Sequence, residues 1–261
     1  MNTKLHFKNF GQGDPLVILH GLFGTLDNWN GMAKILSERF CVFTVDLRNH
    51  GQSFHDDEMN YKVMVNDLVD FLQSEWIYEC HLIGHSMGGK LAMQFACDNS
   101  DIVKSLVVSD ISPKKYKEGH GDIFNALNSI DLETVTKRSD VQNVLEKLGF
   151  EPAIVLFLMK NLHFNTITDE YEWKMNLPVL TKNYPQLMGE VCAGQKYDGP
   201  TLFLKGDHSD YITSEDYPLL DKIFKHNQVQ TVLNSGHWIH ADNPGGFLQE
   251  LNKFYNTLAI P

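Results

Sequence analysis

Gly84-His85-Ser86-Met87-Gly88-Gly89 follows the apolar run Cys80-His81-Leu82-Ile83 and leads directly into Lys90-Leu91-Ala92-Met93-Gln94-Phe95-Ala96, which reads as a helix. Strand, GxSxG, helix is the context of a nucleophile elbow, a sharp turn that lifts a serine hydroxyl off the edge of a parallel sheet. Glycine on either side of Ser86 removes Cβ atoms that would clash in such a turn. The pentapeptide alone is a weak signal, because a glycine-rich turn can simply cap a helix. Its position at the end of a buried run gives it weight.

Working outward, further apolar runs lie at Leu16 to His20, Phe40 to Asp46 and Val103 to Ile111, and each reads as a strand buried on both faces. Tyr61 to Glu75 places Val65, Leu68, Val69 and Leu72 at helical spacing, as a crossover between parallel strands requires. From Pro113 to Val191 the rhythm changes. Helical segments at Ile123 to Ile130, Val141 to Leu148, Ala153 to Leu162 and Val179 to Met188 follow one another with no convincing strand between them. The alternation resumes with a strand at Thr201 to Lys205, a helix at Glu215 to Phe224, a strand at Gln228 to Leu233 and a helix at Gly246 to Leu258. Pro200 before the first of these and Gly206 after it read as punctuation. The expected architecture is α/β, a doubly wound and mostly parallel sheet of residues 1–112 and 192–261, with residues 113–191 inserted as a helical cap. Phe157, Met159, Phe164, Trp173 and Met175 of the insertion read chiefly as core, though a cap must turn a few of them towards Ser86.

A serine hydroxyl needs a base within hydrogen-bond reach to act as a nucleophile. Of the 12 histidines, His237 stands in Ser235-Gly236-His237-Trp238, between the last strand and the last helix, at the sheet edge expected for Ser86. His240 reads as a packing or capping residue beside Pro244, and His20 and His50 as makers of structural hydrogen bonds. An oxyanion requires two convergent backbone N–H groups. Met87, just after the nucleophile, and Leu22, in His20-Gly21-Leu22-Phe23-Gly24, are placed to supply them. No HExxH occurs, and neither His81 with His85 nor His237 with His240 has a matching carboxylate set, so no metal is expected.

Lys plus Arg number 22 against 33 Asp plus Glu, a net charge of −11, which argues against a nucleic acid or an anionic membrane surface as partner. Cys41, Cys80, Cys97 and Cys192 form no CxxC pair and read as reduced thiols. Met1 to Phe7 lacks the apolar region of a secretory leader, and no apolar run is long enough to span a bilayer. A soluble, cytoplasmic protein is expected.

Taken together, His20-Gly21-Leu22-Phe23-Gly24, Asp46-Leu47-Arg48-Asn49-His50-Gly51-Gln52-Ser53, the elbow and Gly236-His237 stand in the order found in α/β-hydrolases, and the resemblance covers almost the whole chain. More narrowly, His20 to Trp29, Gly84 to Lys90 and Gly236-His237-Trp238-Ile239-His240-Ala241 resemble the YbfF-like esterases. Many α/β-hydrolases place the catalytic acid three residues after the glycine that closes the penultimate strand, but here that residue is Ser209, flanked by Asp207 and Asp210. Asp110, in Val107-Val108-Ser109-Asp110-Ile111, ends the strand after the elbow helix, and a neighbouring parallel strand reaches the same sheet edge. The resemblance implies that Asp110 is the acid, since YbfF-like esterases draw it from this strand. Asp46 and Arg48 read as residues that fix their own loop.

The resulting expectation is a cofactor-free serine hydrolase acting on carboxylic esters, and by extension acyl thioesters, of small to medium acyl groups, with Ser86, His237 and Asp110 as its catalytic residues. A nonhydrolytic lyase or a cofactor-free haloperoxidase is the alternative that the same residues allow, and a binding protein on an inactive hydrolase fold is the third.

Overall fold

The computed structural model describes residues 4–258. Met1 to Thr3, the start of the N-terminal stretch read above, and residues 259–261 lie outside the described residues. Seven strands form one sheet in the order β1 (Phe7–Phe10), β3 (Phe40–Val45), β2 (Asp14–Leu19), β4 (Cys80–His85), β5 (Val103–Ser109), β8 (Tyr197–Gly206), β9 (Phe224–Val232). All neighbouring pairs are parallel except β1 with β3.

The apolar runs are continuous because helices cover both faces. Leu16 and Ile18 of β2 pack with Ile83 and Val107 against α1 (Asn30–Leu36) and α10 (Pro244–Thr257). Val17 and Leu19, one residue out of phase, pack with Leu82 and Leu106 against α2 (Tyr61–Ser74) and α3 (Met87–Asp98), with α8 (Tyr217–Ile223) further along that face. In α2, Asn60 caps the first turn by accepting the Val63 N–H.

Between β5 and β8 lie α4 (Gly121–Asn128), α5 (Arg138–Lys147), α6 (Pro152–Met159) and α7 (Leu177–Leu187), with α4 packed on α7 and α5 on α6. This segment also contains an antiparallel hairpin, β6 (Leu162–Asn165) with β7 (Glu170–Trp173), where the sequence suggested helices alone. Its arms are four residues each, and their alternation is carried only by Tyr171 and Trp173 between exposed Glu170 and Glu172. The Asn165 side chain closes the turn on the Ile167 N–H, and Asp169 takes φ 61°. Apolar residues of the insertion, including Phe124, Leu145, Leu158 and Leu180, belong to the same buried cluster as α2 and α3.

Pro200 is a second departure. It lies inside β8, not before it, at an irregularity in the pairing with β9, and Gly206 is the last residue of the strand. A short α9 (Ile239–Asp242) precedes α10. No helix among the described residues is long and apolar enough to cross a membrane.

Candidate active site

Ser86, Asp110, Gly206 and His237 gather because β4, β5, β8 and β9 run parallel and end at one edge of the sheet. Ser86 follows β4 with φ 53° and ψ −119°, a conformation that non-glycine residues adopt at a cost. The turn is tight: a methyl group on Gly84 would sit 2.3 Å from the Gly88 carbonyl oxygen, and one on Gly88 would sit 2.5 Å from those of Leu19 and His20. Both glycines of the motif are thus required by close backbone approach. Parallel hydrogen bonds continue past the strand ends, with Ser86 N–H donating to Ser109 O at 3.1 Å and Asp110 N–H to Leu204 O at 2.8 Å.

His237 and Asp110 are in direct contact, Nδ1 to Oδ2, at 2.8 Å. Asp110 is fully buried and also accepts the Gly206 N–H at 3.1 Å and the Ser209 hydroxyl. Ser209, third after Gly206, therefore donates to the carboxylate that touches His237. Tyr211 stacks on the imidazole at 4.0 Å between centroids, and His85 Nε2–H donates to the His237 carbonyl at 2.8 Å. The sequence reading missed the roles of Ser209 and Tyr211. A serine in place of the usual acid was the one available sign. Asp207 instead accepts the Ser235 N–H at 2.9 Å, a bond that holds its carboxyl below the usual range, and Asp210 is exposed.

With Nδ1–H on Asp110, Nε2 of His237 is left as an acceptor. Ser86 Oγ makes no hydrogen bond to it in this structure; the two residues meet as walls of one cavity of 530 Å³. Catalytic bonds are often long before substrate binds. The walls are mainly apolar, with Ile123, Ile154, Leu156 and Phe157 from the insertion and Leu22 and Phe23 opposite. Of the other insertion residues considered, Met159 and Met175 are buried, whereas Phe164 is exposed. A methyl group on Gly21 would sit 3.1 Å from Ser86 Cβ, so the His20 to Gly24 loop runs against the serine. Among the described residues the Leu22 N–H has no hydrogen-bond acceptor, and Met87 N–H belongs to the first turn of α3, where helix amides lack intrahelical partners.

Two buried histidines brace that loop. His20 Nδ1–H donates to Gly21 O at 2.8 Å while its Nε2 accepts Leu47 N–H at 3.0 Å. His50 Nδ1–H donates to Arg48 O while its Nε2 accepts Phe23 N–H. Asp46 accepts from Leu26 N–H and Gln52 N–H, and the Arg48 guanidinium forks onto Asp67, away from the cavity. His240 stacks on Trp29 at 4.0 Å. Among the described residues no group of three His, Cys, Asp or Glu is placed to hold a metal ion.

Burial lowers the pKa of His20 to about 4 and that of His50 and His240 to about 3. In the unfolded chain each titrates near pH 6.5. Their stabilising contribution is therefore complete above about pH 6.5 and is lost as pH falls towards 4 and 3, because the unfolded chain takes up protons that the folded one refuses. Thermal denaturation should show a lower Tm at pH 4.5 than at pH 7.5, as the linkage demands. An equal Tm would contradict these environments.

A parallel sheet with this elbow, and a histidine and carboxylate at the same edge, defines an α/β-hydrolase. The alpha/beta hydrolase fold family model matches residues 14–244, and the chain belongs to that family. Within it the chain is one of the YbfF-like esterases: it is 34% identical to esterase YbfF of Escherichia coli (strain K12), covering 95% of this chain and 96% of that protein. It is also 37% identical to the sn-1-specific diacylglycerol lipase ABHD11 of Danio rerio, over 95% of this chain and 80% of the relative. The solved structure of a marine microorganism esterase, 39% identical, superposes with a TM-score of 0.93, covering 97% of this chain and all of that one (100%).

Proposed function

We propose that the protein hydrolyses carboxylic esters through a Ser86-His237-Asp110 triad and an acyl-enzyme intermediate, with residues 113–191 acting as a cap over the acyl group. The observation that carries this is the 2.8 Å contact of His237 Nδ1 with Asp110, which leaves Nε2 as the free base on the cavity that Ser86 lines. Nε2 removes the Ser86 proton as Oγ attacks the carbonyl carbon, and the oxyanion accepts hydrogen bonds from the Leu22 and Met87 N–H groups. The imidazolium then protonates the departing alkoxide, leaving an ester on Ser86. Water, deprotonated by the same nitrogen, attacks that ester and releases the acid.

Esters of small to medium acids fit the cavity's volume and apolar walls, and thioesters are open to the same attack. A cytoplasmic setting agrees with four cysteines that form no disulfide. The names of the relatives, an esterase and a diacylglycerol lipase, support ester hydrolysis over lyase or haloperoxidase chemistry. Hydrolysis of p-nitrophenyl esters with a burst of nitrophenol tests the proposal, and turnover no faster than in the Ser86→Ala variant would refute it.

Chain length tests the cap. Each CH₂ buried against Ile123, Ile154 or Phe157 contributes up to about 0.8 kcal/mol, so kcat/KM should rise from acetyl towards butyryl or hexanoyl esters. A steady fall from acetyl onwards would exclude an apolar acyl site under the insertion.

A further inference from the structure

The hydroxyl of Tyr184, on α7, holds a position that fixes the chemistry of a second histidine at the cavity. It lies 3.0 Å from the Gly119 N–H, 3.0 Å from the His120 N–H and 2.7 Å from His120 Nδ1. A phenol oxygen has one proton and two acceptor sites. The two backbone amides occupy both acceptor sites, so the Tyr184 proton goes to His120 Nδ1. Nδ1 is then the acceptor in this bond, and the proton of the neutral ring is on Nε2.

His120 lines the same cavity as Ser86 and His237, and its Nε2 has no partner among the described residues. The ring is held edge-on by Tyr184, 5.6 Å away at 89°, and by Phe23, 6.1 Å away at 66°. Burial and the neighbouring His237 keep the imidazole neutral, with a pKa lowered to about 4. Around it the insertion's cavity walls are aliphatic or aromatic, with Lys160 the other polar side chain there.

Given the ester hydrolysis proposed above, on which it rests, we infer that His120 is a specificity-determining residue whose Nε2–H donates a hydrogen bond to a second acceptor oxygen of the substrate. The substrate class is then a carboxylic ester with an ether, carbonyl or hydroxyl oxygen beside the scissile group, in its acyl or its alcohol part. A plain alkyl ester leaves that donor unpaired in an apolar pocket, which the enzyme tolerates at the expense of rate.

Pairs of esters differing only by oxygen for CH₂ test this: p-nitrophenyl methoxyacetate against butyrate for the acyl side, and 2-methoxyethyl butyrate against butyl butyrate for the alcohol side. Taking the oxygen-to-CH₂ ratio of kcat/KM in wild type relative to His120→Phe cancels the intrinsic reactivity of each ester. The ratio is expected to fall about five- to tenfold in His120→Phe in at least one series, the range of a neutral hydrogen bond. An unchanged ratio in both series, or an equal loss on both members of each pair, overturns the inference. A second measurement does not depend on the variant: long-range ¹H–¹⁵N spectra of the wild-type enzyme should show His120 as the Nε2–H tautomer, and the Nδ1–H tautomer would overturn it. Failure of the wild type to hydrolyse the alkyl esters at all would instead count against the triad.

Discussion

Replacing Ser86 or His237 with alanine is expected to lower kcat on p-nitrophenyl butyrate by about 10⁴ to 10⁶ without unfolding the protein. In the proposed mechanism Ser86 supplies the attacking oxygen, and among the described residues its hydroxyl holds no other part of the fold; losing His237 leaves the Asp110 carboxylate with the Gly206 N–H and the Ser209 hydroxyl as donors. Each loss also makes the other residue idle, so Ser86→Ala combined with His237→Ala should be little worse than either alone. Steady-state rates on variants with wild-type circular dichroism and Tm provide the check. A Ser86→Ala enzyme that retains a tenth of the activity would exclude Ser86 as nucleophile.

The second large effect concerns the acid. Asp110→Asn should cost roughly 10⁴ in kcat, the loss recorded for the equivalent change in a serine protease, because asparagine favours the tautomer that leaves no acceptor at Nε2. Three donors converge on Asp110, from His237, Gly206 and Ser209, and all three lose a full negative charge as acceptor. Asp207→Asn weakens the bond to the Ser235 N–H and the contact with His208, neither of which touches His237, and Asp210→Asn changes an exposed side chain, so each should cost about tenfold at most. Crippled Asp207→Asn or Asp210→Asn enzymes beside a near-normal Asp110→Asn would move the acid to the loop after Gly206.

Much of this architecture was legible in the sequence because parallel strands covered on both faces must be apolar throughout. Leu16 to Leu19 and Cys80 to His85 show it, and the elbow announces itself by glycines at positions where a Cβ meets backbone. The strands that escaped notice are those without that constraint: β1, a four-residue edge strand with Lys8 and Asn9 exposed, and the β6–β7 hairpin. The partner of His237 was a harder matter. Asp110 and His237 stand 127 residues apart, and no local pattern encodes their meeting, so resemblance to known esterases carried that expectation. Ser209 showed in the sequence only as a serine at the usual acid position and Tyr211 not at all, since a hydroxyl on a carboxylate and a ring on an imidazole exist only once β5, β8 and β9 end side by side. His120 stands between two glycines in a polar stretch, with nothing nearby in sequence to mark the Tyr184 hydroxyl that orients it.

The central claim is that Ser86 becomes covalently acylated with His237 as its base, and the most direct measurement is the mass of the protein after treatment with a fluorophosphonate, followed by peptide mapping. One phosphonyl adduct per chain is expected, on the peptide containing Ser86, formed at a rate that drops in His237→Ala and absent in Ser86→Ala. An adduct on any other residue that abolishes esterase activity, or full labelling of Ser86→Ala, would contradict it.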